Sequence, residues 1–287
     1  EEPTGPDGPQ QRAVLVSTSP SPRHVAEDGF SLSTSEGGGV SGAYKRRNLF
    51  GGDETLDVNL NLATVQSGLQ VELTAPHWRR LGQALTLEAR TQREETDAYD
   101  LVEAGVGARV SRPITDTLTL SAGADLSVSH SENETLDLNV YTGSVSFGAV
   151  WDQRDSAIAP TQGALVSMEV SPTLLAGDAS STYFRAVAEG RRYQRLTSSL
   201  IIAGRLRAGG LVGAPLETLP PEQRFFAGGG GSARGYDYQS LSPRNADGDL
   251  IGGRLIVESS VELRWRKSRR WGGVVFVDSA GAGRDET

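Results

Sequence analysis

Thr117 to Val128 divides into two sets by position alone: Leu118, Leu120, Ala122, Ala124, Leu126 and Val128 are apolar, and Thr117, Thr119, Ser121, Gly123, Asp125 and Ser127 are polar or small. A helix turns about 100° per residue and would mix the two sets around its circumference, whereas a β-strand sends them to opposite faces. The same period of two runs through Leu56, Val58, Leu60 and Leu62 against Asp57, Asn59 and Asn61, and through Leu69, Val71, Leu73 and Ala75 against Gln70, Glu72 and Thr74. The pattern predicts an all-β chain with thirteen strands, near residues 30–35, 40–45, 55–63, 68–75, 84–92, 100–110, 117–129, 138–151, 164–171, 182–191, 199–212, 254–265 and 272–278.

Many of these segments reach the roughly 9–11 residues that a membrane-crossing β-strand needs, against about 5–6 for strands of soluble domains. No apolar run approaches the roughly 20 residues of a membrane-spanning helix. That absence is what alternation produces, because a barrel strand shows lipid only every second residue. The net charge of −8 argues against a nucleic-acid partner, whose phosphates call for an excess of Lys and Arg. Without cysteine there is no disulfide framework, thiolate metal site or thiol nucleophile.

If all neighbouring strands are antiparallel, the connections fall alternately at two ends. On side A (44–54, 76–83, 111–117, 151–163, 191–199 and 265–272) there are 14 basic and 5 acidic residues. On side B (36–39, 63–68, 92–100, 129–139, 172–182, 213–253 and 279–287) there are 16 acidic and 5 basic residues. All four tryptophans, Trp78, Trp151, Trp265 and Trp271, lie in or beside side A. A solvent-surrounded sandwich has no reason to sort indoles and charge by strand end; a bilayer interface does. Mixed charges within strands, such as Glu88, Arg90, Glu103, Arg109, Arg185, Glu189, Arg205, Arg207, Glu258, Glu262 and Arg264, suit a wet lumen. The side A arginines are read as a solvated rim, with lipid headgroups or a partner as the alternative.

Enzyme motifs are absent. His24, His77 and His130 stand alone, so no metal site is expected. Gly228 to Gly231 fits neither a dinucleotide fingerprint nor a phosphate-binding loop, and Asn245, Asp247 and Asp249 lack the glycine and terminal glutamate of a calcium loop. No catalytic residue and no cofactor is assigned. The connection 213–253, about forty residues, is far longer than the roughly 12–15 at which structureless loops become uncommon, and Phe225, Phe226, Tyr236, Tyr238 and Leu241 give it apolar anchors.

Within this connection, Arg224-Phe225-Phe226-Ala227-Gly228-Gly229, then Ser232-Ala233-Arg234-Gly235-Tyr236-Asp237-Tyr238-Gln239-Ser240-Leu241 and Gly248-Asp249-Leu250-Ile251-Gly252-Gly253-Arg254, resembles the TamA branch (translocation and assembly module) of the bacterial surface antigen or outer-membrane assembly-factor superfamily. The resemblance covers nearly the whole chain. Asn48-Leu49-Phe50-Gly51 is similar to the family's first periplasmic turn, Asp152-Gln153-Arg154-Asp155 with Pro160-Thr161-Gln162-Gly163 to its D-x-R-D…P-T-x-G turn, and Phe276-Val277-Asp278 with Gly281 to its F-x-D-x-G strand. It implies a sixteen-stranded transmembrane antiparallel β-barrel in the bacterial outer membrane. Residues 29–287 would form an incomplete barrel of about thirteen strands, with 213–253 folded into the lumen. Residues 1–28 would be a disordered lead-in and the last strand, Val14 to Ser17, of a periplasmic POTRA domain, so that the N-terminal side faces the periplasm. The sequence starts at Glu1 without Met or a secretory leader and is read as part of a longer protein.

The resemblance further implies a latch in which the loop's Arg234, with Gly235 to turn the backbone and Tyr236 to pack, pairs with Glu262 and Asp278 on the inner wall. Alternation agrees, since Glu262 lies opposite the Val261, Leu263 and Trp265 set and Asp278 opposite Val275 and Val277. The implied activity is ATP-independent insertion or translocation of β-barrel proteins and autotransporters through a lateral seam beside a short, polar first strand. Implied partners are outer-membrane lipids, unfolded outer-membrane clients and a TamB-like inner-membrane-anchored protein. A two-partner secretion transporter exporting a soluble client, the main barrel-assembly subunit and a passive porin are the other readings.

Overall fold

The computed structural model describes residues 22–33, 37–133, 136–268 and 271–284. Within them the chain is one sheet of thirteen strands: β1 (His24–Ser33), β2 (Gly37–Arg47), β3 (Thr55–Ala63), β4 (Gln66–Ala75), β5 (Ala84–Glu95), β6 (Asp100–Pro113), β7 (Leu118–Glu132), β8 (Asp137–Asp152), β9 (Gly163–Gly177), β10 (Ser181–Arg195), β11 (Leu200–Val212), β12 (Leu255–Arg266) and β13 (Gly272–Gly283). They pair in chain order, each antiparallel to the next. Connections therefore alternate between the two ends, which places sides A and B as the charge sorting requires. The segment Val14 to Ser17 lies outside the described residues.

One face of the sheet is apolar and exposed: Val102, Val106, Leu126, Val128, Val145, Phe147, Met168, Phe184, Leu206, Val261, Val275 and Val277 all leave more than a third of their surface uncovered. The opposite face carries the charges, and they pair across neighbouring strands. Arg90 of β5 donates from Nε to Glu103 of β6 at 3.0 Å and from Nη1 to Asp125 of β7 at 2.6 Å. Arg109 of β6 reaches Glu169 of β9 at 3.0 Å, passing over two intervening strands. Arg205 joins Glu189 and Glu258, at 3.0 and 3.2 Å, and Arg207 also reaches Glu258. Contacts that skip strands on one face require the sheet to curl towards that face, which is therefore the lumen.

The first strand differs from the expectation. It begins at His24, upstream of the 28/29 boundary, and all ten of its residues pair with β2. Glu27 and Asp28 hide the alternation, and the backbone ladder decides the extent. The premise of a short first strand is thus corrected. What is weak is its side B half, where Ser31 and Leu32 lie opposite Gly39 and Gly38, so that no partner side chain supports them. The strands β9 and β10 also run further than alternation suggested, to Gly177 and Arg195, because ladder hydrogen bonds continue beyond the apolar band.

The two faces make opposite demands of a substitution. Leu126 of β7 is 64% exposed on the apolar face. In phospholipid vesicles, Leu126→Arg is expected to lower folding stability by about 2–4 kcal/mol. Ser127→Arg, one residue along and facing the lumen, is expected to cost much less. Denaturant titration of the refolded barrel measures both, and equal costs would place the apolar face in water.

Candidate functional site

The long connection between β11 and β12, residues 213–254, folds back over the lumenal face. Pro215, Pro220 and Pro221 shape its entry into two single-turn 3-10 helices, Leu216–Thr218 and Pro221–Gln223. Behind them Leu219, Phe225 and Ala227 pack on wall residues Val140, Leu175, Tyr183, Leu211 and Ile256, forming the main buried apolar cluster. Both ends of the loop are then stapled together, because Phe225 and Gly253 exchange backbone hydrogen bonds of 2.8 Å in each direction.

Arg224 sits at this staple, almost fully buried, without a carboxylate partner in hydrogen-bond range among the described residues. Its Nε and Nη2 donate to the Leu219 carbonyl at 2.9 and 2.6 Å and its Nη1 to the Ile251 carbonyl at 2.9 Å. Burial lowers its pKa to about 10, so the guanidinium stays charged at neutral pH and crosslinks the two arms of the loop. Beside it Glu222 accepts a 2.9 Å bond from the Ser129 hydroxyl of β7, and burial pushes its carboxyl up. The Arg185 guanidinium of β10 lies over the Phe225 ring, 4.8 Å from its centroid.

The far end of the loop carries Arg234. Its Nε and Nη2 donate to the two oxygens of Asp278 on β13 at 2.7 and 2.8 Å, and its backbone N–H donates to the same carboxylate at 3.0 Å. Nη1 donates to Glu262 of β12 at 2.8 Å and Nη2 to the Ser260 hydroxyl at 3.0 Å. The guanidinium also stacks 3.5 Å from the Phe276 ring centroid. Arg264 holds the second oxygen of Glu262 at 2.7 Å. Such forked, charge-assisted bonds fix orientation as well as position. Gly235 has φ +89°, with nothing near an added Cβ, so its backbone conformation is what calls for glycine.

Tyr236 departs from the expectation. It does not pack on the wall but is 52% exposed. The wall contact falls instead to Tyr238, two residues on, whose hydroxyl donates to Glu94 of β5 at 3.1 Å. Together with Tyr183 of β10, bonded to Gln223 at 2.6 Å, these contacts tie the loop to strands on several sides of the lumen. From sequence, Arg224, Glu94 and Glu222 carry no individual role, and Arg185 is marked only as a lumenal charge and Tyr238 only as an apolar anchor of the loop. Alternation places Arg185 and Glu94 on the lumenal face, but nothing in one dimension pairs them with particular loop residues.

The turn residues Asp152, Arg154, Asp155 and Gly163 are on side A, away from the latch. Arg154 forks onto Asp152, at 2.9 and 2.7 Å. Asp155 accepts backbone N–H bonds from Thr161 and Gln162 at 2.8 and 3.1 Å and a hydroxyl bond from Thr161, which in turn accepts from Arg195. At Gly163, with φ +101°, an added Cβ would stand 2.1 Å from the Gln153 carbonyl oxygen. Asp152, Arg154 and Asp155 are thus spent on holding the turn's own shape.

The family model described as "Omp85 superfamily domain" matches residues 48–286. Among curated proteins, the chain is 25% identical over 244 residues to the outer membrane protein assembly factor BamA of Nitratidesulfovibrio vulgaris, covering 79% of this chain and 30% of that protein. BamA of Neisseria meningitidis serogroup B is 24% identical over 259 residues, with coverage of 78% and 32%. The chain thus spans about a third of the length of these relatives. Among solved structures, BamA from Haemophilus ducreyi lacking POTRA domains 1–3 superposes with a TM-score of 0.79 at 18% identity, over 91% of this chain and 58% of that one. CdiB from Acinetobacter baumannii gives 0.64 at 16% identity, over 92% and 50%. At these identities the structural likenesses speak for the fold.

Removing the fork tests the anchoring. Arg234→Ala leaves Asp278 and Glu262 without their shared cation, and proteolytic cleavage within 213–254 is expected to accelerate roughly tenfold or more, since one charge-assisted bond is worth about 1.5–3 kcal/mol. Arg234→Lys should restore only part of the protection, lacking the fork. At the turn, the Thr161 hydroxyl and the two backbone N–H groups hold Asp155 down to about 2, from an ordinary 3.8. A depressed carboxylate pKa stabilises above the unfolded value, so the turn's contribution is complete above about pH 4 and is lost as pH falls towards 2. Asp155→Asn should flatten that acid dependence in a pH series of melting curves.

Proposed function

This chain belongs to the Omp85 superfamily, and from that premise we propose that it is the barrel wall and lumenal loop of a factor that inserts or translocates client β-barrel proteins at the outer membrane. Proteins of this superfamily are outer-membrane β-barrels acting in assembly and transport, and they are not enzymes. The observation that carries the proposal is the loop 213–254, pinned to the lumenal wall by Arg234 on one side and Tyr238 on another, with its two arms crosslinked by Arg224. A passive pore keeps its lumen open, whereas here the lumen is occupied by an anchored segment of the chain itself.

The work of such a protein is physical. A strand entering a bilayer must bring its backbone N–H and C=O groups already paired, because each unpaired group costs several kcal/mol in hydrocarbon. An edge strand that can release its own partner offers the client a template. In this chain β1 is an edge of the described sheet, and its side B half is held opposite three glycines. We place the seam there. The fork at β12 and β13 would keep the remainder of the wall rigid while β1 opens. Poor matching of the bilayer beside the seam would lower the insertion barrier further.

On the residues 224–241 and 248–254 we assign the chain to the TamA branch, with autotransporters and other unfolded outer-membrane proteins as clients, a TamB-like inner-membrane-anchored partner, side A in the periplasm, and POTRA domains before β1. Three such domains upstream support this branch, five support the main barrel-assembly subunit, and two support a secretion transporter. In the full-length protein, a disulfide between Ser31→Cys and a cysteine in the strand that closes the barrel onto β1 is expected to stop client assembly in reconstituted vesicles and to restore it on reduction. Undiminished assembly with the seam locked would refute the mechanism.

A further inference from the structure

The apolar outer face ends, on side A, in an ordered sequence of side chains. Arg46 of β2, Arg112 of β6 and Arg192 of β10 all point outward: Arg46 lies opposite Leu56, Arg112 opposite Leu120, and Arg192 follows Phe184, Ala186 and Ala188 along the outer face of β10. Cross-strand partners share a face, so these guanidiniums stand at the lower margin of the lipid-facing surface rather than in the lumen. All three are exposed, and none has a hydrogen-bond or ion-pair partner among the described residues. That is unlike the lumenal arginines Arg90, Arg109, Arg205, Arg207 and Arg234, each of which is paired with a carboxylate.

Tryptophans occupy the alternate positions. Trp78 follows β4, Trp151 closes the outer face of β8, and Trp265 that of β12. From β2 to β12, five of the six even-numbered strands thus carry an outward arginine or tryptophan at the side A end, and Trp78 lies in the connection that follows the sixth, β4. Arg79 adds a second cation, lying 4.4 Å over the Trp78 ring. On the side B margin of the same face, Arg93 is held by Glu95.

We propose that this arginine–tryptophan belt is a binding surface for the phosphates of anionic glycerophospholipids in the leaflet at side A. An indole prefers the depth at which acyl chain gives way to headgroup, and an arginine at the same level reaches the phosphate while its stem stays against apolar surface. Phosphate matches the forked guanidinium better than any other group of the interface. The distribution decides between lipid and protein: a docked protein covers one sector of a barrel, whereas the belt recurs over eleven strands, as an annular shell of lipid would meet it. The inference rests on the sheet lying in a bilayer, and failure of that premise shows separately as a neutral Leu126→Arg.

The test uses the full-length protein, refolded into phosphatidylcholine vesicles doped with phosphatidylglycerol, extracted gently, with the retained lipid quantified by mass spectrometry. The wild type should retain phosphatidylglycerol well above its share in the vesicle. Arg46→Gln, Arg112→Gln and Arg192→Gln combined should reduce that enrichment to the bulk ratio, with roughly fivefold per arginine as the scale set by ~1 kcal/mol for each cation at an anionic surface. Replacing the three with lysine should recover part of it, and Arg93→Gln with Arg244→Gln on side B should change nothing. Absence of enrichment in the wild type, or enrichment untouched by the triple glutamine variant, would each overturn the proposal.

Discussion

Hydrocarbon offers no hydrogen-bond partners, so each backbone N–H and C=O that crosses a bilayer must be satisfied inside the protein. An uninterrupted antiparallel ladder is one of two ways to achieve this, and the thirteen strands follow it in chain order without a crossover. Much else in the molecule is a consequence. The ladder fixes a period of two, and that period assigns one set of side chains to lipid and the other to a wet lumen. It also sends the connections alternately to two different aqueous compartments, so each end can acquire its own charge.

The lumen shows how charge is managed once it has been placed there. Arg90, Arg205 and Arg234 each engage two carboxylates on different strands; the first two clusters bridge strands that share no ladder, and the third ties the loop to the paired strands β12 and β13. The arginines keep part of their surface in water, while Glu258 and Asp278 are buried beneath them, so the forked geometry is what offsets the desolvation of those carboxylates. Arg224 is the contrasting case. It is buried without a carboxylate, and three bonds to two backbone carbonyls neutralise nothing yet hold both arms of the loop in register. Arg234 thus anchors the loop to β12 and β13 by charge, whereas Arg224 holds the loop to itself through its backbone. The apolar cluster of Leu219, Phe225 and Ala227 fills the space between loop and wall.

The edge at β1 has a different character. Its ten ladder pairs make it part of the sheet, yet the glycines of β2 leave its side B half with little beyond backbone bonding. A strand held by its ladder alone can exchange that ladder for an equivalent one at small net cost, whereas a strand locked by cross-strand side chains cannot. In the proposed mechanism, a firmly held β12–β13 and an exchangeable β1 would be complementary features of one wall.

How much of this was legible in one dimension follows from the same physics. Strand number, strand order and the identity of the lipid face were written in alternation, because a period of two is a local property of the chain. The sorting of arginines and tryptophans to side A was also legible, since antiparallel order makes every second connection a neighbour. The residues Arg234, Glu262 and Asp278 could be matched through motif resemblance, and alternation agreed with their facing. Other features required the folded sheet. Glu27 and Asp28 obscured the start of β1, which only pairing with β2 reveals; Tyr236 pointed away while Tyr238 reached Glu94, because loop direction is set by contacts distant in sequence. The role of Arg224 was hidden for the same reason. Alternation tells which face a residue occupies, but register and curvature decide what it meets there, and those are properties of all thirteen strands together.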